Sequence, residues 1–243
     1  MDLTDRLRAR DALIGLWQVL PGPVAAEIAA RAGFDFVVLD GEHGPWDPAD
    51  LRARLIACDA GGTEAVIRVP DGAPWLIKQS LDLGARTILV PMVDDAAQAA
   101  AAVAATRYPP RGVRGNGAYV ARASRWGRDP DYVAEARIGV WVQAESRAAL
   151  SNLEAICAVD GVDCVFVGPA DLAADMGHTT DPSHPDVLDA IADAIPRIVA
   201  AGPACGIFGA PEHRDRWAAL GATVIAAGAD GTVLAAALAG LRR

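Results

Sequence analysis

Three observations predict an α/β fold closed as a (β/α)8 barrel. Short β-rich apolar runs alternate eight times with Ala- and Leu-rich helical stretches. The runs are apolar on both faces, as parallel strands covered by helices are. Charged residues collect just after several of them, where a barrel gathers its strand ends into one mouth. The eightfold count favours closure over an open doubly wound sheet. A chain of 243 residues suits one barrel domain over 1–243.

The strands follow in order as LIGLWQVL (13–20), FDFVVLD (34–40), EAVIRVP (64–70), RTILVP (86–91), IGVWVQAE (138–145), VDCVFVG (162–168), ACGIFG (204–209) and ATVIAAG (222–228). Helical patterns such as PVAAEIAARAG, PWLIKQSLDLGA, DDAAQAAAAVAAT and SRAALSNLEAICAV separate them, several opening near a proline and closing on a glycine. The joints AGFDFVVLD, LGARTILVP, DGVDCVFVG, AGPACGIFG and LGATVIAAG repeat one device, a helix-ending glycine with a strand almost at once behind it.

Composition narrows the function. Apolar residues make up 52% of the chain and charged residues 22%, a globular balance. A net charge of −9 argues against nucleic acid or an anionic membrane as partner, since both need a clustered positive field. The N-terminal MDLTDRLRARDAL lacks the order of a signal peptide, and no apolar run reaches the roughly 20 residues of a membrane span. Cys58, Cys157, Cys164 and Cys205 form no CxxC pair and read as buried, reduced thiols. A cytoplasmic enzyme acting on small molecules is the expectation.

The polar residues at strand ends suggest the chemistry. Asp40, Glu42 and His43 follow the second strand, Arg68 ends the third, Gln143 and Glu145 end the fifth, and Asp171 follows the sixth. A single carboxylate there is ordinarily a helix cap or a solvated loop residue; the convergence of several on one mouth gives them weight. Arg68, inside an apolar strand, must find an anion. Glu145 and Asp171 are hard oxygen ligands with no Cys or paired His nearby, a set suited to Mg²⁺, Mn²⁺ or Co²⁺. Two protein ligands bind weakly unless the substrate chelates too, as a 2-oxo acid does. Arg68 would add positive charge at the keto oxygen, and His43 is the natural acid/base. The one lysine, Lys78, falls inside a predicted helix, which argues against Schiff-base and pyridoxal phosphate chemistry.

In order along the chain, DGEHGPWD, RVP, IKQSLDLGARTILVPMV, TRYPPRGVRGNG, ARASRWG, VQAES and FVGPADL resemble the HpcH/HpaI family of class II pyruvate aldolases over about residues 14 to 230. The resemblance implies a (β/α)8 barrel, a divalent metal, and reversible cleavage of 4-hydroxy-2-oxo acids to pyruvate, or hydroxypyruvate, and an aldehyde. By that resemblance Glu145 and Asp171 hold the metal, Gln143 lies beside the 2-oxo acid, and Arg68 stabilises the enolate oxygen. His43 is the acid/base and Asp82 its carboxylate partner, although residue order alone reads Asp82 as an exposed late-helix aspartate and leaves Asp40 as another orienter. The main chain around Gly168, Ala170 and Asp171 would receive the substrate carboxylate, as helix N-termini favour anions. A homohexamer, a dimer of trimers with the last helix packed on a neighbouring barrel, is also implied; GTVLAAALAGLRR reads equally as an ordinary eighth helix.

Residues 107–137 fit a barrel least well, being a long connection with Arg107, Arg111, Arg114, Arg122, Arg125 and Arg128. It reads either as a solvated or subunit-bridging surface or as a segment of which part lies near an active-site mouth and meets the aldehyde's distal group; the second is the working expectation. Trp17, Pro91 and Phe208 are expected to wall the pocket. Two other enzyme readings stay open, an acyl-CoA lyase of the citrate lyase or malyl-CoA lyase type and a sugar-phosphate isomerase using GAPEH and GADGT. A noncatalytic barrel that binds a metal and a 2-oxo acid is the third.

Overall fold

The computed structural model describes residues 2–242. Eight parallel strands pair in chain order and close on themselves, β8 against β1. They are β1 (Leu13–Gln18), β2 (Phe36–Asp40), β3 (Glu64–Arg68), β4 (Thr87–Val90), β5 (Gly139–Ala144), β6 (Cys164–Val167), β7 (Ala204–Phe208) and β8 (Val224–Ala229). Each lies within a run expected from sequence or one residue beyond it, shortened at the ends where prolines and polar residues stop the ladder.

Around them run α1 (Leu3–Arg8), α2 (Pro23–Ala30), α3 (Pro48–Gly61), α4 (Pro74–Asp82), α5 (Ala96–Thr106) and α6 (Tyr132–Glu135). The second half adds α7 (Arg147–Ser151), α8 (Leu153–Cys157), α9 (Pro169–Asp175), α10 (Pro185–Ala201), α11 (Arg214–Ala219) and α12 (Asp230–Gly240). Proline opens α2, α3, α4, α9 and α10, where its missing N–H costs nothing. At the five joints noted above, Gly33, Gly84, Gly161, Gly202 and Gly221 all take positive φ, the turn by which the chain leaves each helix for the next strand. SRAALSNLEAICAV is two helices rather than one. The break falls at Asn152, whose side-chain amide donates to the Asp94 carbonyl at 2.8 Å.

Strand alternation sorts the apolar residues into two cores. Between strands and helices lie Val37, Leu39, Ile67, Ile88, Val142, Val165 and Ile207 with the inner faces of the helices. Inside the barrel lie Leu13, Phe36, Val38, Val66, Leu89, Trp141, Cys164 and Phe166, and Leu3 and Leu7 of α1 belong to the same cluster. Trp17, Phe166, Trp141 and Phe36 form an aromatic chain through the interior with centroids 5.3–6.3 Å apart. The four cysteines are buried and unpaired, and burial raises Cys58 and Cys205 to about 12 and Cys157 to about 11, so none is a ready thiolate. No helix among the described residues is long and apolar enough to cross a membrane.

Candidate active site

The same alternation that builds the inner core decides which polar side chains enter the mouth. On β2 the inward phase runs Phe36, Val38, Asp40; on β3, Val66, Arg68; on β5, Trp141, Gln143, with Glu145 next in phase just beyond the strand. Register aligns Asp40 with Arg68 and Gln143 with Phe166. Aromatic packing therefore gives way, at one level of the barrel, to a polar layer roofing the core.

That layer is a continuous hydrogen-bonded chain. Arg68 is 4% exposed and grips Asp40 in a bidentate pair, Nε to Oδ1 at 3.0 Å and Nη2 to Oδ2 at 2.6 Å. Its Nη1 donates to Glu42 and, at 3.4 Å, to Gln143 Oε1. Gln143 passes the chain on, donating from Nε2 to Glu145 Oε2 at 2.7 Å. Trp17 lies beneath, its Nε1 donating to Asp40 Oδ2 at 3.0 Å and its ring 4.8 Å from the guanidinium carbon. The anion that Arg68 requires is thus Asp40, with Glu42 beside it.

Electrostatics separate these carboxylates. Burial alone would raise Asp40, but the hydrogen bonds and charge of Arg68 outweigh it and hold Asp40 below the usual range. Glu42 is raised, chiefly by burial. Glu145, 1% exposed, is pushed up to about 7, first by burial and then by the negative charges of Asp171 and Glu42, against the Met92 N–H that donates to Oε1 at 2.8 Å. A carboxylate crowded by others and kept from water is stabilised in its charged form by a cation. Gly168 makes room for it: a Cβ on Gly168 would overlap Glu145 Oε2. Glu145, Asp171 and the space between them therefore suit a divalent ion in oxygen coordination.

These groups line a cavity of about 430 Å³. Trp17, His43, Arg68, Gln143, Glu145, Gly168, Ala170, Asp171 and Phe208, all expected from sequence, lie on its wall. Asp40 sits directly behind Arg68, and it holds the backbone amides of Glu42 and His43 at 2.9 and 3.2 Å rather than the imidazole. Pro91 is not among the lining residues.

Two expectations need correcting within the chain. Asp82 is not beside His43: α4 runs back from the mouth and carries Asp82 to the opposite end of the barrel, where Arg114 Nη2 donates to it at 2.7 Å. The arginines of residues 107–137 do not reach this chain's mouth either. Arg122 binds Asp59 Oδ2 at 2.5 Å and the Leu83 carbonyl at 3.1 Å, Arg107 meets Asp160, and buried Arg114 lies over Tyr108 and Tyr132. Those partners end helices or precede strands, so the segment is fastened to the amino-terminal end of the barrel.

A family model described as HpcH/HpaI aldolase/citrate lyase matches residues 13–237. The chain belongs to the HpcH/HpaI family. A hydroxypyruvate/pyruvate aldolase of Deinococcus radiodurans is 54% identical over 227 residues, covering 92% of this chain and 82% of the relative. A 4-hydroxy-2-oxo-heptane-1,7-dioate aldolase of Klebsiella pneumoniae is 50% identical over 234 residues, covering 95% and 88%. Among solved structures, an HpcH/HpaI aldolase/citrate lyase family protein of Burkholderia cenocepacia superposes with a TM-score of 0.93 at 40% identity, over 99% of both chains.

In this HpcH/HpaI barrel the cavity also draws on residues that strand-end reasoning missed. Phe166 lies one inward step before Gly168, and counting that alternation backwards finds it. His213, five residues beyond β7 in GAPEH, and Trp217 of α11 complete one side, and Pro182, Ser183, Leu188 and Ile191 close another. The position of His213 after a strand was a usable signal. Leu188 and Ile191 carried none, because nothing in an amphipathic helix marks which turn meets a cavity.

Proposed function

We propose that this chain is a divalent-metal-dependent aldolase that reversibly cleaves 4-hydroxy-2-oxo acids to pyruvate, or hydroxypyruvate, and an aldehyde. The observation that carries the proposal is the polar chain Asp40–Arg68–Gln143–Glu145 at the floor of the cavity, facing Asp171 and His43. It sets a fixed guanidinium beside two carboxylates fit for a cation, and relatives at 50–54% identity bearing aldolase names support the same reading. The family description also spans citrate lyases, so an acyl-CoA lyase is the reading to test against.

Glu145 and Asp171 would hold Mg²⁺, Mn²⁺ or Co²⁺, which supplies Lewis-acid polarisation of the keto group. The chain's own residues do the rest. Asp40 holds Arg68 from behind, so the Nη1 edge is aimed before substrate arrives, and only its long 3.4 Å bond to Gln143 has to give way as negative charge grows on the keto oxygen. Gln143 bridges Arg68 and Glu145 and keeps both in one geometry. His43 takes the C4 hydroxyl proton, directly or through a water, as the C3–C4 bond breaks; a proton delivered from the same histidine or from water to C3 of the enolate completes pyruvate, and the synthetic direction reverses both transfers. The main chain at Gly168, Ala170 and Asp171 receives the carboxylate of the 2-oxo acid. Trp17 and Phe208, 5.9 Å apart edge to face, wall the site.

Assembly belongs to the same reading. Asp82 faces away from its own mouth, so it supports a His43 only across a subunit boundary. No residue of α12 is buried, and Val233, Leu234, Leu238 and Leu241 stand exposed, as do Tyr119, Val120 and Trp126 on the arginine-rich segment. Such surface fits a homohexamer in which α12 packs on a neighbour. Buried, unpaired cysteines fit a cytoplasmic enzyme. The experiment is to incubate the protein with pyruvate or hydroxypyruvate and a panel of aldehydes, with Mg²⁺, Mn²⁺ or Co²⁺ against EDTA. Metal-dependent 4-hydroxy-2-oxo acid, found by mass spectrometry, is the expected product; cleavage of a CoA thioester instead would move the chain to the acyl-CoA lyases.

A further inference from the structure

Residues 176–184 connect α9 to α10 and carry a second group of ligating side chains that the aldolase reading does not use. The Asp181 N–H donates to the His178 carbonyl at 2.8 Å and the His184 N–H to the Asp181 carbonyl at 3.0 Å. These two turns fold the segment back on itself and bring His178 and His184 into a ring stack with centroids 3.6 Å apart. Asp186, in the first turn of α10, completes the group: its Oδ2 lies 3.5 Å from His178 Nε2 and 3.8 Å from His184 Nδ1. One ligand atom from each residue lies within 4.8 Å of the other two.

Those edges are near what a metal needs. Bonds of about 2.0–2.2 Å to imidazole nitrogen and carboxylate oxygen in a tetrahedral site set ligand atoms about 3.3–3.5 Å apart. His184 Nδ1 accepts the Asp186 N–H at 3.3 Å, a long bond whose lone pair passes to the cation when the site fills. The stacked rings hold their lone pairs in nearly parallel planes, and coordination requires one ring to swing out; both side chains reach solvent and are free to do so.

We propose that His178, His184 and Asp186 form a second cation site, at the rim of the cavity, for a borderline transition-metal ion such as Zn²⁺, Ni²⁺ or Cu²⁺. Two imidazoles and one carboxylate select these ions over Mg²⁺, the reverse of the oxygen set at Glu145 and Asp171. The fourth position is left to water. Pro182 and Ser183 lie between the two histidines and wall the cavity, so occupancy fixes that wall in place.

The test is Zn²⁺ binding by isothermal titration calorimetry in excess Mg²⁺, on full-length Glu145→Gln protein so that the inner site does not compete. One Zn²⁺ per chain is expected, with two imidazoles in its X-ray absorption spectrum. Adding His178→Ala or Asp186→Asn should each weaken it tenfold or more, in variants whose melting in EDTA confirms folding. Zn²⁺ affinity unchanged by both substitutions, or equal displacement by Mg²⁺, overturns the site. The readout is independent of turnover, so its failure leaves the aldolase reading standing.

Discussion

Arg68 and Asp40 make one ion pair that serves both stability and chemistry. The pair is buried, and removing one member leaves the other charge unsolvated, which costs about 3–5 kcal/mol in such settings. Asp40→Ala should therefore destabilise the fold by about 3 kcal/mol in urea unfolding, toward the lower end because Glu42 and Gln143 still hold Arg68. Asp40 has a depressed value in the folded chain, so its contribution is complete above the ordinary carboxylate range and is lost as pH falls through the depressed value. Arg68→Ala, in contrast, should lower turnover about 10²- to 10³-fold, the usual effect of removing a preorganised stabiliser of a growing negative charge. Turnover near that of the parent would remove Arg68 from the mechanism. Glu145 has the opposite sign. Folding raises it from 4.5 to about 7, so without a cation the folded chain retains a proton that the unfolded chain releases, and stability declines as pH rises through that window. A bound cation takes the proton's place. Its affinity should weaken by about tenfold per unit below pH 7, and calorimetry in buffers of different ionisation enthalpy should show proton release that Glu145→Gln abolishes.

Among the elements, the strands were the most legible from sequence and the helices the least. Period-2 alternation ties Asp40, Arg68, Gln143 and Glu145 to one face, so once the strands are found the mouth follows. Asp82 shows the limit, because residue order says which helix it occupies but not that the helix carries it away from His43 to Arg114. The arginines of residues 107–137 show another: their density was visible, whereas their anchors, Asp59 in α3, Asp82 and Leu83 at the end of α4, and Asp160 before β6, lie at three places far apart in the chain. The opening of α9 depends on one glycine. Gly168→Ala should leave the strands intact yet displace Glu145, reducing divalent-cation affinity at least tenfold, as calorimetry would show; an unchanged affinity would mean the carboxylate moves aside at no cost.

At the scale of the whole molecule, the closed barrel accounts for the eightfold pattern, yet one chain leaves an apolar helix without cover. Alternation along α12 could not reveal this, since its residues are apolar all round and a core helix reads the same way. If α12 packs on a neighbouring barrel as proposed, Leu234→Glu with Leu238→Glu should give smaller species than the parent in light scattering while the barrel keeps its circular dichroism. If Asp82 of one chain supports His43 of another, turnover should fall with that dissociation. The central claim, that Glu145, Asp171 and Arg68 together draw electrons from a 2-oxo acid, is tested most directly without any aldehyde, by proton NMR of pyruvate in D₂O. The methyl signal should disappear in the presence of protein and Mg²⁺, and persist with EDTA or with Glu145→Gln. A signal that persists with every divalent ion, for both pyruvate and the C3 protons of hydroxypyruvate, would contradict the account.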